Sequence, residues 1–311
     1  MGGLLSIFRP EFTWPRPIQP RISESTPPLP YLPGKFLRRM IAPLHELLYP
    51  FSEKYCAWFD IPFDRDILQL PFGLVLKWSD RASIEEVAAM KMARAAGMPV
   101  PLVLTCGDHP NHVRRFSILM TRLPGICLNN DNEPLHPEIE QPWLSQLHSC
   151  LIAMRKWKSP YGKRICSALG TTIWSTRVPF HKMGPFETEA EMHDFLFEPQ
   201  SSHAFPSKEA FETTLQLANE IRSFEHRITF TQGDLKAHNI LVGDDNQLTG
   251  FLDWESGGWY PEYWEHSTAM RWGRNSWWYQ VATYLGGDQY QKQVECDRAL
   301  NNLTVDSYIA F

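Results

Sequence analysis

Thr231-Gln232-Gly233-Asp234-Leu235-Lys236-Ala237-His238-Asn239-Ile240-Leu241-Val242 is the stretch on which the reading of this 311-residue chain turns. The apolar run Ile228-Thr229-Phe230 predicts a strand that delivers Asp234, and Asn239 stands at the head of a second apolar run. Gly243-Asp244-Asp245-Asn246 has turn composition, and Phe251-Leu252-Asp253-Trp254-Glu255 completes what reads as a β-hairpin ending in another carboxylate. Phosphoryl transfer needs one carboxylate to take the proton of the attacking hydroxyl. It also needs an amide oxygen and a second carboxylate to hold Mg²⁺ against the phosphates. Asp234, Asn239 and Asp253 meet that need in order. The competing reading is a pair of turn formers, against which the flanking apolar runs and the third acid both count.

Upstream, Ile67-Leu68-Gln69-Leu70 and Leu74-Val75-Leu76-Lys77-Trp78 flank Pro71-Phe72-Gly73, the pattern of two strands and a tight turn. Lys77 lies inside an apolar strand, where burial is costly unless the charge is paired. Ser83 and Glu86 form a capping-box signature for the helix that follows, and Glu86 is the natural partner of Lys77. The other reading for Lys77 is an edge-strand side chain that snorkels. Further strands are expected near 101–106 and 115–122. Helices are expected near 36–51, 140–157, 189–197 and 207–222, with globular order beginning near Asp66. Strands first and helices later predict an α+β protein.

Residues 1–34 hold eight prolines and read as an extended arm. Residues 35–122 then form an amino-terminal lobe, and 123–311 a larger, mainly helical lobe. Six cysteines without metal-ligand spacing read as reduced thiols, and no apolar run is long enough for a transmembrane helix. The start Met1-Gly2-Gly3 fits the N-myristoylation pattern, against the plainer reading of an ordinary terminus. A cytoplasmic protein is expected.

The formal net charge of −5 argues against a nucleic-acid binder. It conceals a net −12 over residues 185–265 and +7 elsewhere, which favours a cationic acceptor. Six of the twelve tryptophans lie between 254 and 278, interleaved with Glu255, Glu262 and Glu265. They read either as a cation-binding wall or as lobe core, the second being favoured.

The ensemble of Lys77, Glu86, Pro99-Val100-Pro101, Ile118-Leu119-Met120-Thr121, Gly233-Asp234-Leu235, Asn239-Ile240-Leu241-Val242 and Asp253-Trp254-Glu255 resembles the aminoglycoside phosphotransferase and choline kinase group. Trp259-Tyr260-Pro261-Glu262-Tyr263-Trp264-Glu265 carries the likeness further, toward fungal members of that group. It covers roughly residues 60–280. The resemblance implies a two-lobed protein-kinase-like fold, with an antiparallel sheet and one helix in the small lobe. It implies an ATP- and Mg²⁺-dependent enzyme that transfers the γ-phosphoryl group to a hydroxyl of a small molecule. Asp234 would be the catalytic base, and Asn239 and Asp253 the metal ligands. Lys77 and Glu86 would serve the nucleotide phosphates, and Met120, Thr121 and Leu123 the adenine. One departure is Gln232, where the group usually has His. It opens the alternative of a catalytically weak kinase-fold scaffold that binds partners through the proline-rich arm or the aromatic surface. A protein kinase is disfavoured because no GxGxxG loop or Asp-Phe-Gly occurs, and no Walker A loop is present either.

Overall fold

The structure is a computed structural model that describes residues 6–15, 21–129, 134–271, 273–274 and 276–304. Gly2, Trp272 and parts of the proline-rich arm fall outside them. In chain order the elements begin with α1 (Lys35–Phe59), β1 (Ile67–Leu70), β2 (Leu74–Ser79), α2 (Ile84–Ala95), β3 (Val103–Asp108), β4 (Phe116–Thr121) and β5 (Ile126–Cys127). There follow α3 (Trp143–Lys156), β6 (Cys166–Ser167), β7 (Ile173–Trp174), β8 (Lys182–Met183), α4 (Glu189–Phe197), α5 (Lys208–Asn219) and β9 (Ile228–Thr231). The chain ends on β10 (Ile240–Val242), β11 (Leu248–Phe251), β12 (Gly258–Pro261), α6 (Trp264–Met270), α7 (Trp277–Tyr284) and α8 (Gln291–Thr304).

These elements form two compact units. The first takes Pro27–Leu128 and Asn239–Glu255, with the described part of the first 23 residues. The second takes Glu24–Thr26, Asn129–His238 and the chain from Ser256 onward. Chain order alone would group residues 239–255 with the carboxy-terminal lobe. They join the first unit because β10 pairs on one side with β11 and on the other with β5, Leu241 facing both Gly250 and Cys127.

The first unit is built on an antiparallel sheet of order β1-β2-β4-β3. Lys77 sits mid-sheet, opposite Ile67 on one side and Ile118 on the other, so it is not on an edge. Leu68, Leu70, Leu76 and Trp78 form the core on one face, joined by Leu48 and Tyr49 of α1. Helix α1 corrects the expectation of a shorter helix and of order beginning only near Asp66. It runs 25 residues, through Pro43 and Pro50. Each proline removes one N–H from the helix, but both are exposed, so the carbonyls left without a donor can take water. The same side of α1 is bolted to the sheet by His45, whose two ring nitrogens hydrogen-bond Ser117 (2.7 Å) and Thr105 (2.9 Å), and by Ser52, which donates to the Gln69 carbonyl (2.8 Å).

The second unit surrounds a sheet of order β6-β12-β9 with helices. Thr188 and Ser207 cap α4 and α5 by accepting from the third helical residue's N–H, which fixes those helix starts as their sequence suggests. Tyr260, Tyr263 and Trp264 pack with Ile173, Met192, Leu300 and Leu303 in its core. The tryptophan cluster is interior: Trp254 is buried in the first unit, and Trp259, Trp264, Trp277 and Trp278 are buried in the second. All six cysteines are free thiols, with Cys127 exposed and the rest buried. No helix among the described residues is long and apolar enough to cross a membrane.

Candidate active site

In the first unit, Lys77 gathers three carboxylates. Its Nζ lies 2.8 Å from Glu86 Oε1, 2.7 Å from Asp253 Oδ1 and 3.2 Å from Glu255 Oε2. Burial opposes the ammonium charge, but Glu86, Asp253 and Glu255 outweigh it and hold the Lys77 pKa above its ordinary value. Burial pushes Glu86 up to about 7, against the pull of Lys77. Glu255 is raised as well, by burial first and then by Asp253. Arg81 Nη1 reaches the other oxygen of Glu255 at 3.3 Å and adds a second cation at the rim. The capping box is only half made. Ser83 accepts from the Glu86 N–H (3.2 Å), while the Glu86 carboxylate turns to Lys77 instead. Glu255 and Arg81 belong to this cluster although the sequence reading gave them no part in it.

Asn239 and Asp253 are brought together by the hairpin, whose Leu252 N–H donates to the Asn239 carbonyl at 2.8 Å. Asp253 has φ 53°, a left-handed conformation that aspartate adopts more readily than most residues. Its side chain keeps 30% exposure, whereas Lys77 keeps 10%. An amide oxygen and a carboxylate are the hard oxygen donors that Mg²⁺ takes, so this pair fits such an ion chemically.

The adenine candidates divide. Thr121 is committed to Leu102: its N–H donates to the Leu102 carbonyl (3.1 Å), and its hydroxyl accepts from the Leu102 N–H (2.9 Å). Met120 is in the β4 ladder opposite Val75 and Val103. Leu123 is buried and follows the end of β4; among the described residues its main-chain N–H and carbonyl have no partner.

The second unit holds the Asp234 loop, braced from several sides. Glu265, fully buried on α6, accepts from the N–H groups of Gln232 (2.7 Å) and Gly233 (3.1 Å). Burial raises the Glu265 pKa to about 7, and these two N–H groups pull against that rise. Gln232 Oε1 accepts from the Asp234 N–H at 2.8 Å, and the Trp278 indole donates to the Leu235 carbonyl at 3.1 Å. Gly233 has φ +87°, and a Cβ there would stand 2.4 Å from the Ser256 carbonyl oxygen, so only glycine fits. Lys236 Nζ holds both carboxylate oxygens of Asp234, at 2.7 and 3.0 Å. Glu265, Lys236 and Trp278 were not singled out for the loop from sequence. Lys236 was visible two residues after Asp234, but the other two are distant in the chain.

The acids among the tryptophans are all engaged: Glu255 with Lys77 and Arg81, Glu262 with Arg227 (2.7 Å), and Glu265 with the loop. The second unit also encloses a cavity of about 430 Å³, a volume suited to a small molecule. Val178, Phe195 and Leu300 supply apolar wall, and Arg177, Lys182, Arg271 and Glu198 are the charged residues of the lining, Arg177 being ion-paired with Asp297.

Residues 67–297 match the family described as the phosphotransferase enzyme family. No curated protein matches significantly. Among solved structures, aminoglycoside phosphotransferase APH(4)-Ia is similar, at 14% identity and TM-score 0.51 over 81% of this chain and 89% of that one. A thermostable mutant of the same enzyme, solved as a ternary complex with ADP and hygromycin B, gives 12% identity and TM-score 0.51 over 82% and 92%. A second mutant, with AMP-PNP and hygromycin B, gives 15% identity and TM-score 0.51 over 82% and 88%. At these identities the likeness is one of fold, and the fold is α+β and kinase-like.

Proposed function

The chain belongs to the phosphotransferase enzyme family, and from that membership we propose that it transfers the γ-phosphoryl group of ATP to a hydroxyl of a small molecule, with Mg²⁺. The observation that carries the reading is Lys77, buried mid-sheet and held by Glu86, Asp253 and Glu255. A fold needing only stability gains little from a buried charge cluster that apolar side chains could replace. A site that binds triphosphate needs a fixed cation. Leu123 offers adenine a main-chain donor and acceptor. Asn239 and Asp253 would hold Mg²⁺, which when bound neutralises phosphate charge. Asp234, oriented by Gln232 and Lys236, accepts the proton of the acceptor hydroxyl. Proteins of this fold solved with ADP or AMP-PNP together with hygromycin B support a nucleotide and a small molecule as co-substrates.

Gln232 bears on the scaffold alternative. It occupies the position of a loop hydrogen-bonder and acts as one, which favours a working loop over a lost one. Isothermal calorimetry with Mg²⁺–ATP tests the proposal, with binding expected for wild type and abolished in Asp253→Ala. No binding by wild type, or equal binding by the variant, overturns it. Acceptor-stimulated ADP release across small alcohols, amino alcohols and aminoglycosides then identifies the acceptor, with Asp234→Asn as the blank.

A further inference from the structure

Helix α1 carries two sets of apolar side chains. One set, including Ala42, Tyr55 and Cys56, is buried. The other set is Phe36, Leu37, Met40, Leu44, Leu47, Phe51, Trp58 and Phe59, with exposures running from 38% at Phe59 to 86% at Trp58. Singly exposed apolar residues need no explanation, but a stripe of them along a 25-residue helix does. Within it Leu37, Met40, Leu44, Leu47, Phe51 and Trp58 are spaced three, four, three, four and then seven residues apart, with Phe36 and Phe59 beside that row. That is the heptad alternation of a helix–helix seam, in which a 3.5-residue period keeps the apolar edge turned to another helix. A helix lying in a membrane surface would show a broad apolar face bordered by Lys and Arg. Here Lys54 occupies the remaining heptad position within the stripe, and Glu53 borders it.

We propose that the stripe is covered by a second copy of this chain, the two α1 helices packing antiparallel about a two-fold axis. Charge along one flank supports this occupant and this direction. Arg39 and Glu53 are two heptads apart, so they share that flank, and among the described residues neither has an ion-pair partner. Glu46, between them, is already held by His109 at 3.0 Å. A two-fold axis across the helices brings like flanks together with ends reversed, so Arg39 of each copy meets Glu53 of the other, twice. A parallel pair would set this flank against the opposite side of its mate, where His45 and Ser52 are buried on the sheet. The arrangement is closed and self-complementary, the commonest form of oligomer.

Sedimentation velocity on the full chain over a wide concentration range tests it, with a concentration-dependent dimer expected. Leu44→Glu with Leu47→Glu should leave a folded monomer, since both side chains are largely exposed within one copy. Arg39→Glu should weaken the dimer at least about tenfold by setting like charges together, and Glu53→Arg in the same chain should restore it. That reversal and rescue decide the matter even if the double leucine variant fails to fold. In a Cys127→Ser background, Leu47→Cys lies near the axis and should cross-link to itself, whereas Leu37→Cys should not. Self-cross-linking at both positions would overturn the antiparallel arrangement. A chain monomeric at every concentration overturns the proposal, as does a dimer indifferent to all of these changes. Co-sedimentation of a monomeric chain with phosphatidylserine vesicles, lost in the double leucine variant, would make the stripe a membrane surface and overturn the dimer.

Discussion

Around Lys77, three buried or half-buried carboxylates share one ammonium and the edge of one guanidinium; behind Asp234, the single carboxylate of Glu265 has no ion-pair partner among the described residues and accepts two backbone N–H groups. The first arrangement opposes charge with charge. A carboxylate that leaves it relieves crowding, while loss of the cation strands every acid. The second uses directional dipoles to fix backbone geometry, and it works only while Glu265 is ionised. The two regions should therefore fail differently, one in stability and the other in the geometry of Asp234.

The largest separation between them is expected at Asp234 itself. Asp234→Asn should lower transfer by about a hundredfold or more, the share of a positioned proton acceptor. It should leave nucleotide affinity and unfolding midpoint near wild type, because its Lys236 partner is substantially exposed and the pair contributes little to stability. Steady-state kinetics with calorimetry check this. Transfer surviving within about tenfold would remove Asp234 from the chemistry.

Lys77→Met should act on the other side of the comparison, destabilising the protein by about 3–5 kcal/mol in urea unfolding, because the buried acids lose their cation. Arg81→Ala should cost below about 1 kcal/mol, since its side chain is 44% exposed. Equal effects of the two substitutions would show that the charge is not held where the geometry puts it.

Glu265 distinguishes the regions by pH. Its pKa is raised from an ordinary 4.5 to about 7, by burial first, so folding retains a proton that the unfolded chain would release between those values. Its contribution to stability therefore falls as pH rises through that window. Only the ionised form offers acceptor oxygens to both N–H groups without turning a hydroxyl against one of them. Transfer should thus increase as pH rises through about 7 while stability decreases. Glu265→Gln should flatten both trends and cost about 1–3 kcal/mol for the N–H left unsatisfied. Glu86 is also raised to about 7, so the measurement is the difference between wild type and Glu265→Gln across pH.

What could be read from sequence follows the same division. Lys77 and Glu86 were legible because a lysine inside an apolar strand demands a partner, and Ser83 marks where the helix bearing that partner begins. The order of Asp234, Asn239 and Asp253 was legible because one hairpin carries the last two and a single strand delivers the first. Glu265 was not, because its role depends on α6 reaching back over 30 residues to the N–H groups of Gln232 and Gly233. The aromatic stretch gave composition without address: Trp254 closes one unit and Trp278 braces a loop in the other. Helix α1 runs eight residues past the expected end at 51, to Phe59, and the exposure of Pro43 and Pro50 in the folded chain shows why it tolerates both.

The smallest expected effect concerns Gln232, the residue that departs from the family pattern. Its side-chain oxygen satisfies the Asp234 N–H, which is buried beside the bond that fixes Asp234's carboxylate. An imidazole has a ring nitrogen that can accept the same bond, so Gln232→His should change stability by less than about 1 kcal/mol and leave transfer within a fewfold of wild type. Gln232→Ala has no acceptor and should lose about 1–3 kcal/mol, with a matching fall in transfer as the loop loosens. Thermal unfolding and single-turnover transfer on the pair read the two quantities separately. If histidine instead raises transfer by more than about tenfold without changing stability, glutamine is a catalytic lesion.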